Sequence, residues 1–202
     1  PRRRFTCGHE IIHTLFPGFR RESRYRLDMV TGASDLRRGE EEYLCDRGAA
    51  DLLMPAALMA DLYGLPGGLA AIERLARDAD VSLEAAGNRL VGLQVRPSVF
   101  VVLEVGHKPA DAPAIRRGTN VPKRLRVRYA NASNLATHVP RFKSADDGSV
   151  FVRALHSGVV EVGREPLPGA PRDGLFHIEA RAFPRGDGTP ELTRVLAVAT
   201  PA

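Results

Sequence analysis

Cysteine is scarce in this chain, and long apolar runs are missing from it. Two cysteines in 202 residues are too few for a secreted scaffold held together by disulfides. No apolar stretch approaches the ~20 residues that a membrane-crossing helix needs, so no membrane partner is expected. Acidic side chains are absent between positions 112 and 145, and the charge is uneven as a result. Residues 1–94 carry 13 basic and 14 acidic side chains, net −1, whereas residues 95–202 carry 16 and 10, net +6, within a total of +5. The excess gathers in Arg116, Arg117, Lys123, Arg124, Arg126 and Arg128. Such a run can meet nucleic acid or an acidic partner surface. A solvated basic strand face has the same appearance and is the preferred reading, because Tyr129 alone is available there to stack on bases.

What is present is a compact chemical motif, His9-Glu10-Ile11-Ile12-His13. On a helix, positions 9 and 13 are about one turn apart, so both imidazoles leave the same face. Two such nitrogens can grip one Zn²⁺ at roughly 2.0–2.1 Å. Glu10 points about 100° round the helix, near the metal without being needed as a ligand. There it can take a proton from an attacking water and pass it to a leaving amine. The surroundings predict a strand ending at Arg4-Phe5-Thr6, Thr6 as N-cap, and a helix apolar through Ile12, Leu15 and Phe16 that Pro17-Gly18 stops.

A hydrolytic zinc site takes three protein ligands and keeps one position open. Candidates for the third lie in Glu40-Glu41-Glu42-Tyr43-Leu44-Cys45-Asp46, read as the opening of a second helix that ends near Met54-Pro55. Glu42 and Asp46 share a face. Glu42 can therefore ligate the metal while Asp46 holds the far N–H of a liganding histidine, a solvated acidic turn being the competing reading of Glu42. An acidic first turn favoured by the helix dipole accounts for Glu40 and Glu41. Cys7 is expected to be a small buried apolar residue. Cys45 falls roughly on the face of Glu42, where a redox-active thiol is the minor alternative.

Arg4-Phe5-Thr6 before the paired histidines, Glu42-x-x-x-Asp46 and Ala49-Ala50-Asp51-Leu52-Leu53-Met54-Pro55 together resemble the ImmA/IrrE metallopeptidases, over about the first 94 residues. The resemblance implies that His9, His13 and Glu42 bind zinc and that Glu10 is the general base. Asp46 falls where that family usually has Asn, and Gly48 where it prefers an aromatic. Its members are cytoplasmic endopeptidases that cut helix-turn-helix repressors, and they carry a helix and strands before this point. A shortened N-terminus is therefore expected here.

Between the two metal helices, residues 19–39 read as a loop or hairpin. Helical patterns follow over Ala56–Tyr63, Gly67–Ala79 and Ser82–Leu90. Leu69, Ile72, Leu75 and Ala76 form one buried stripe, and Ser82 is placed as a cap. The helix pair within Leu75–Leu90 is read as ordinary packed helices, not as a DNA reader. After Gln94 the texture changes to short β-prone runs at Val99–Val105, Leu125–Tyr129, Val150–Ala154, Val159–Val162, Phe176–Ala182 and Val195–Ala199. His107, His138, His156 and His177 have no ligand spacing and read as surface residues.

The expected fold class is α+β, with a helical zincin-like core (1–94) followed by a small antiparallel β-rich domain (95–202). The expected function is zinc-dependent cleavage of a regulatory protein, with Mn²⁺ or Fe²⁺ as other occupants of such a site. The alternative is a protein- or DNA-binding module with a structural or degenerate metal site, against which an intact Glu10 counts.

Overall fold

The computed structural model describes residues 2–16, 32–57, 59, 68–94, 96–170, 174–184 and 190–202. Helices α1 (Arg2–His13) and α2 (Gly32–Leu53) pack on each other. The strand expected at Arg4–Thr6 is helix: α1 starts at Arg2, and Thr6 lies inside it. Arg4 and Thr6 are exposed and Phe5 half-buried on this helix, whose contact with α2 comes at Gly8. Gly8 is buried, and a Cβ there would sit 3.5 Å from the Cβ of Ala49, so the two backbones approach closely. Beyond His13 the chain makes one tight turn, with Thr14, Leu15 and Phe16 N–H donating to the carbonyls three residues back. Leu15 is 72% exposed, so the expected apolar side of α1 is not wholly buried. The expected stop at Pro17-Gly18 lies outside the described residues.

Helix α2 begins at Gly32, not at Glu40. Residues 32–39, expected in a loop, are helical, because the one potential breaker, Gly39, is exposed and open on all sides. A solvated mid-helix glycine costs only about 1 kcal/mol. Glu40, Glu41 and Glu42 are thus mid-helix, and the dipole no longer accounts for them.

Helix α3 (Leu69–Asp78) buries Leu69, Ile72, Leu75 and Ala76, the expected stripe. Helix α4 (Leu83–Leu93) is capped by Ser82, whose Oγ accepts from Ala85 N–H at 3.1 Å. Of the helix expected over Ala56–Tyr63, residues 56, 57 and 59 are described, in a short 3-10 turn.

Five strands follow: β1 (Ser98–Gly106), β2 (Arg124–Ser133), β3 (Glu161–Glu165), β4 (Phe176–Pro184) and β5 (Leu192–Pro201). They form one antiparallel sheet in the order β2-β1-β5-β4-β3. A short helix α5 (Ala112–Arg116) lies between β1 and β2, and α6 (Val150–Ser157) precedes β3. The last corrects an expected strand at Val150–Ala154. Ser149 Oγ accepts from Val152 N–H at the start, Gly158 closes the end at φ 70°, and Val150, Phe151 and Ala154 give a helical burial pattern. Residues 159 and 160 lie outside the strand expected at Val159–Val162, which begins at Glu161.

The sheet is buried on both faces. Val99, Val101 and Leu103 of β1 join Phe151, Ile178 and Ala197 in a core on the α6 side. Phe100 and Val102, pointing the other way along the same strand, join Met54, Ile72, Leu75, Leu90, Leu196 and Val198 on the helical side. Gly87 of α4 makes that approach possible, since a Cβ there would fall 2.5 Å from the Phe100 ring. Polar clamps fix the helices to the sheet. Glu179 accepts from Leu69 N–H at 3.0 Å, Arg181 pairs with Glu73 at 2.8 Å, and Arg194 pairs with Glu84. The fold is α+β, with a helical portion followed by an antiparallel sheet.

Candidate metal centre

The α1–α2 pair determines the geometry at the centre of the motif. His9 and His13 project from α1 with ring centroids 4.8 Å apart, edge to face. Their Nε2 atoms are 3.1 Å apart. From α2, Glu42 Oε2 lies 3.1 Å from His9 Nε2 and Glu42 Oε1 lies 3.6 Å from His13 Nε2. The far nitrogens are also held. His9 Nδ1 is 2.9 Å from Asp46 Oδ1, and His13 Nδ1 is 3.2 Å from Glu41 Oε1.

Those far contacts settle what the near atoms can do. A carboxylate on Nδ1 takes the N–H there, which leaves Nε2 with its lone pair. In that tautomer both Nε2 atoms and the Glu42 carboxylate are electron-pair donors converging on one point, an arrangement that a cation can satisfy. The spacing also fits one: ligands at 2.0–2.1 Å around a tetrahedral ion lie about 3.3–3.4 Å from each other, and the three distances here bracket that value. The donor set suits zinc as well as Mn²⁺ or Fe²⁺.

Cys45 is the competing ligand. Its sulfur also lies within 4.8 Å of a donor atom on each histidine. Thiolate is the form that binds metal. Burial pushes the Cys45 thiol up, and the charges of Glu41, Glu42, Asp46 and Glu10 push it further. Glu42 and Cys45 thus both face the two histidines, the carboxylate as an anion and the thiol held toward its neutral form. Glu10 is exposed and leaves α1 beside His9, close enough for its charge to act on Cys45.

The structure thus brings His9, His13, Glu42 and Asp46 together, with Glu10 next to them. One participant went unassigned in the sequence: Glu41 holds His13. Cys45, placed on the face of Glu42, is fully buried at the site. The signal for Glu41 was its four-residue spacing to Cys45, parallel to that of Glu42 and Asp46. Cys7, expected to be buried, is exposed. Gly48 faces Ile12 of α1: a Cβ at 48 would fall 2.8–2.9 Å from three Ile12 carbons. The isoleucine of the motif therefore occupies the space beside that glycine.

The basic run is divided between exposed and engaged side chains. Arg116, Arg117, Lys123 and Arg124 are exposed around α5 and the start of β2. Arg126 turns inward and donates to Gly106 O at 3.2 Å and Phe142 O at 3.1 Å. Arg128 lies 3.8 Å from Glu104. Among the other histidines, His107 Nε2 is 2.8 Å from Val121 O, and His138, His156 and His177 are exposed. No helix among the described residues is long and apolar enough to cross a membrane.

Comparison with known proteins points the same way. Residues 1–91 match the family described as Peptidase_M78, IrrE N-terminal-like domain. Over 140 residues the chain is 34% identical to the radiation response metalloprotease IrrE of Deinococcus deserti, covering 65% of this chain and 45% of that protein. The chain therefore spans about half the length of this curated relative. A transcriptional regulator from Mycobacterium tuberculosis has a similar fold over 98% of this chain and 55% of its own, with a TM-score of 0.57 at 14% identity.

Proposed function

With residues 1–91 belonging to the ImmA/IrrE family of metallopeptidases, we propose that this chain is a zinc-dependent endopeptidase that makes a site-specific cut in a cytoplasmic regulatory protein, such as a helix-turn-helix repressor. The observation that carries this reading is the convergence of His9 Nε2, His13 Nε2 and Glu42 on one point, with both Nδ1 atoms held by carboxylates. A structural site would need no glutamate at position 10.

In this reading His9, His13 and Glu42 hold the ion, while Asp46 and Glu41 hold the imidazoles in the tautomer that presents Nε2. When bound, zinc polarises a carbonyl and makes a water acidic near pH 7. The Glu10 carboxylate accepts a proton from the attacking water and delivers it to the amine nitrogen as the peptide bond breaks. Its exposure suits it to both partners.

Elemental analysis tests the site, and one substitution tests the chemistry. The chain should carry about one zinc, which Glu42→Ala should lose or hold far more weakly. Glu10→Gln should keep the metal and lose cleavage by about 10²–10⁴-fold, the usual worth of a general base. Retained cleavage in that variant would overturn the mechanism, and a parent that takes up no metal would overturn the site.

A further inference from the structure

A cleft of about 390 Å³ opens beside the metal centre and shares Asp46 with it. The α1–α2 pair forms one wall through Phe5, Tyr43, Asp46 and Arg47. The opposite wall is α4 and the second half of β2, through Asn88 and Asn131. The volume is in the range of ligand sites, and the lining mixes aromatic rings, amides and charge.

Most of its polar groups are already engaged. Asp46 holds His9, and Asn88 donates to the Tyr129 hydroxyl at 3.0 Å. Arg89 is buried, donating to Met54 O at 2.9 Å and pairing with Asp51 at 2.5 Å. Arg47 is the charge left over. It has no ion-pair or hydrogen-bond partner among the described residues, and its Nη1 would sit 3.8 Å from a Cβ placed on Gly92 of α4. The guanidinium thus reaches across to the opposite wall, where it can offer two parallel N–H donors to a carboxylate.

The β2 wall adds a second element of recognition. β2 is an edge strand, and its first half is covered from outside. Val127 N–H donates to Lys143 O at 2.9 Å, and Phe142 N–H donates to Val127 O at 2.7 Å. Residues 130–132, which reach the cleft at Ala130 and Asn131, form no backbone bond other than those to β1 among the described residues. An open edge of this kind takes an extended chain.

We infer that this cleft grips the substrate polypeptide beside the bond to be cut, with Arg47 reading an acidic side chain and the chain extended along the free edge of β2. The inference rests on the peptidase reading and adds to it a preference for acidic residues to one side of the cleavage point.

The test uses the full, zinc-loaded chain carrying Glu10→Gln, which binds without cutting. Two fluorescein-labelled degenerate decapeptide pools are compared by anisotropy, one with a fixed central Asp-Glu and the other with Asn-Gln in its place. The acidic pool should bind about tenfold more tightly, a difference of about 1.4 kcal/mol, and the preference should shrink with added salt. Arg47→Ala should abolish it. Gly92→Glu, at an exposed position with room for a side chain, should abolish it too by setting a carboxylate against Arg47. Equal binding of the two pools, or a preference that survives both substitutions, overturns the inference. Cleavage of the same pools by the parent chain separates the two readings. Cutting with no acidic preference removes the cleft's role and keeps the peptidase. Arg47-dependent binding with no cutting removes the peptidase and keeps the acidic site.

Discussion

Each histidine of the centre has a carboxylate behind it, and the two carboxylates differ in how they could be found. Asp46 stands four residues after Glu42, and its place behind His9 was legible in that spacing. Glu41 holds His13 at 3.2 Å, yet in the sequence it looked like part of an acidic first turn. Three adjacent glutamates leave the choice of ligand and support to the rotation of α2 against α1, which no local pattern records. The distinction has a measurable consequence. Under the proposed ligand set, Glu41→Ala should leave His9, His13 and Glu42 in place and free the His13 ring to change orientation, weakening zinc binding by about 10–100-fold. Competition with a chromogenic chelator reads that affinity directly. Glu40→Ala, an exposed neighbour on the same helix, serves as the control and should leave affinity unchanged. Equal losses in both variants would mean that general negative charge, not support of His13, is what matters.

The elements were legible where an apolar period and a cap coincide. Ser82 and the Leu69–Ala76 stripe gave α3 and α4, and the apolar run at 99–105 gave β1. Reading failed where tertiary packing overrode a local impression. Val150-Phe151-Val152 looks like a strand because β-branched and aromatic residues favour one, but Ser149 and Gly158 bound the segment as a helix. At the α1–α2 contact, complementarity between two elements explains Gly48, a position where the family prefers an aromatic. Ile12 fills the space beside it, within 3 Å of where a Cβ would stand. Gly48→Phe should therefore push the metal helices apart, lowering stability by about 1–3 kcal/mol as overpacking does and reducing zinc content. Ile12→Ala combined with Gly48→Phe should recover part of both losses, because the two sites couple. Thermal unfolding with metal analysis of the single and double variants checks this. A double variant no better than the sum of its parts would show that the two side chains do not share that space.

At the scale of the whole molecule, the change of texture after Gln94 is visible in the sequence, but the sharing of core across it is not. β1 reads as an unbroken apolar run because it is buried on both faces, and nothing in that run says which partners cover each face. Phe100, Val102, Leu196 and Val198 turn toward α3 and α4 and are almost fully buried there. Glu179, Arg181 and Arg194 clamp the same helices from the sheet. A fragment of residues 95–202 therefore uncovers a contiguous apolar face and removes the helix partners of three charged side chains. Large exposed patches of that kind drive association. The fragment should bind a hydrophobic dye and aggregate, whereas residues 68–202, which keep α3 and α4, should remain monomeric and unfold in one transition. Light scattering and dye fluorescence distinguish the two. A monomeric 95–202 fragment with no dye binding would mean that the α6-side core alone suffices to hold the sheet, and that α3 and α4 serve the metal helices more than the sheet.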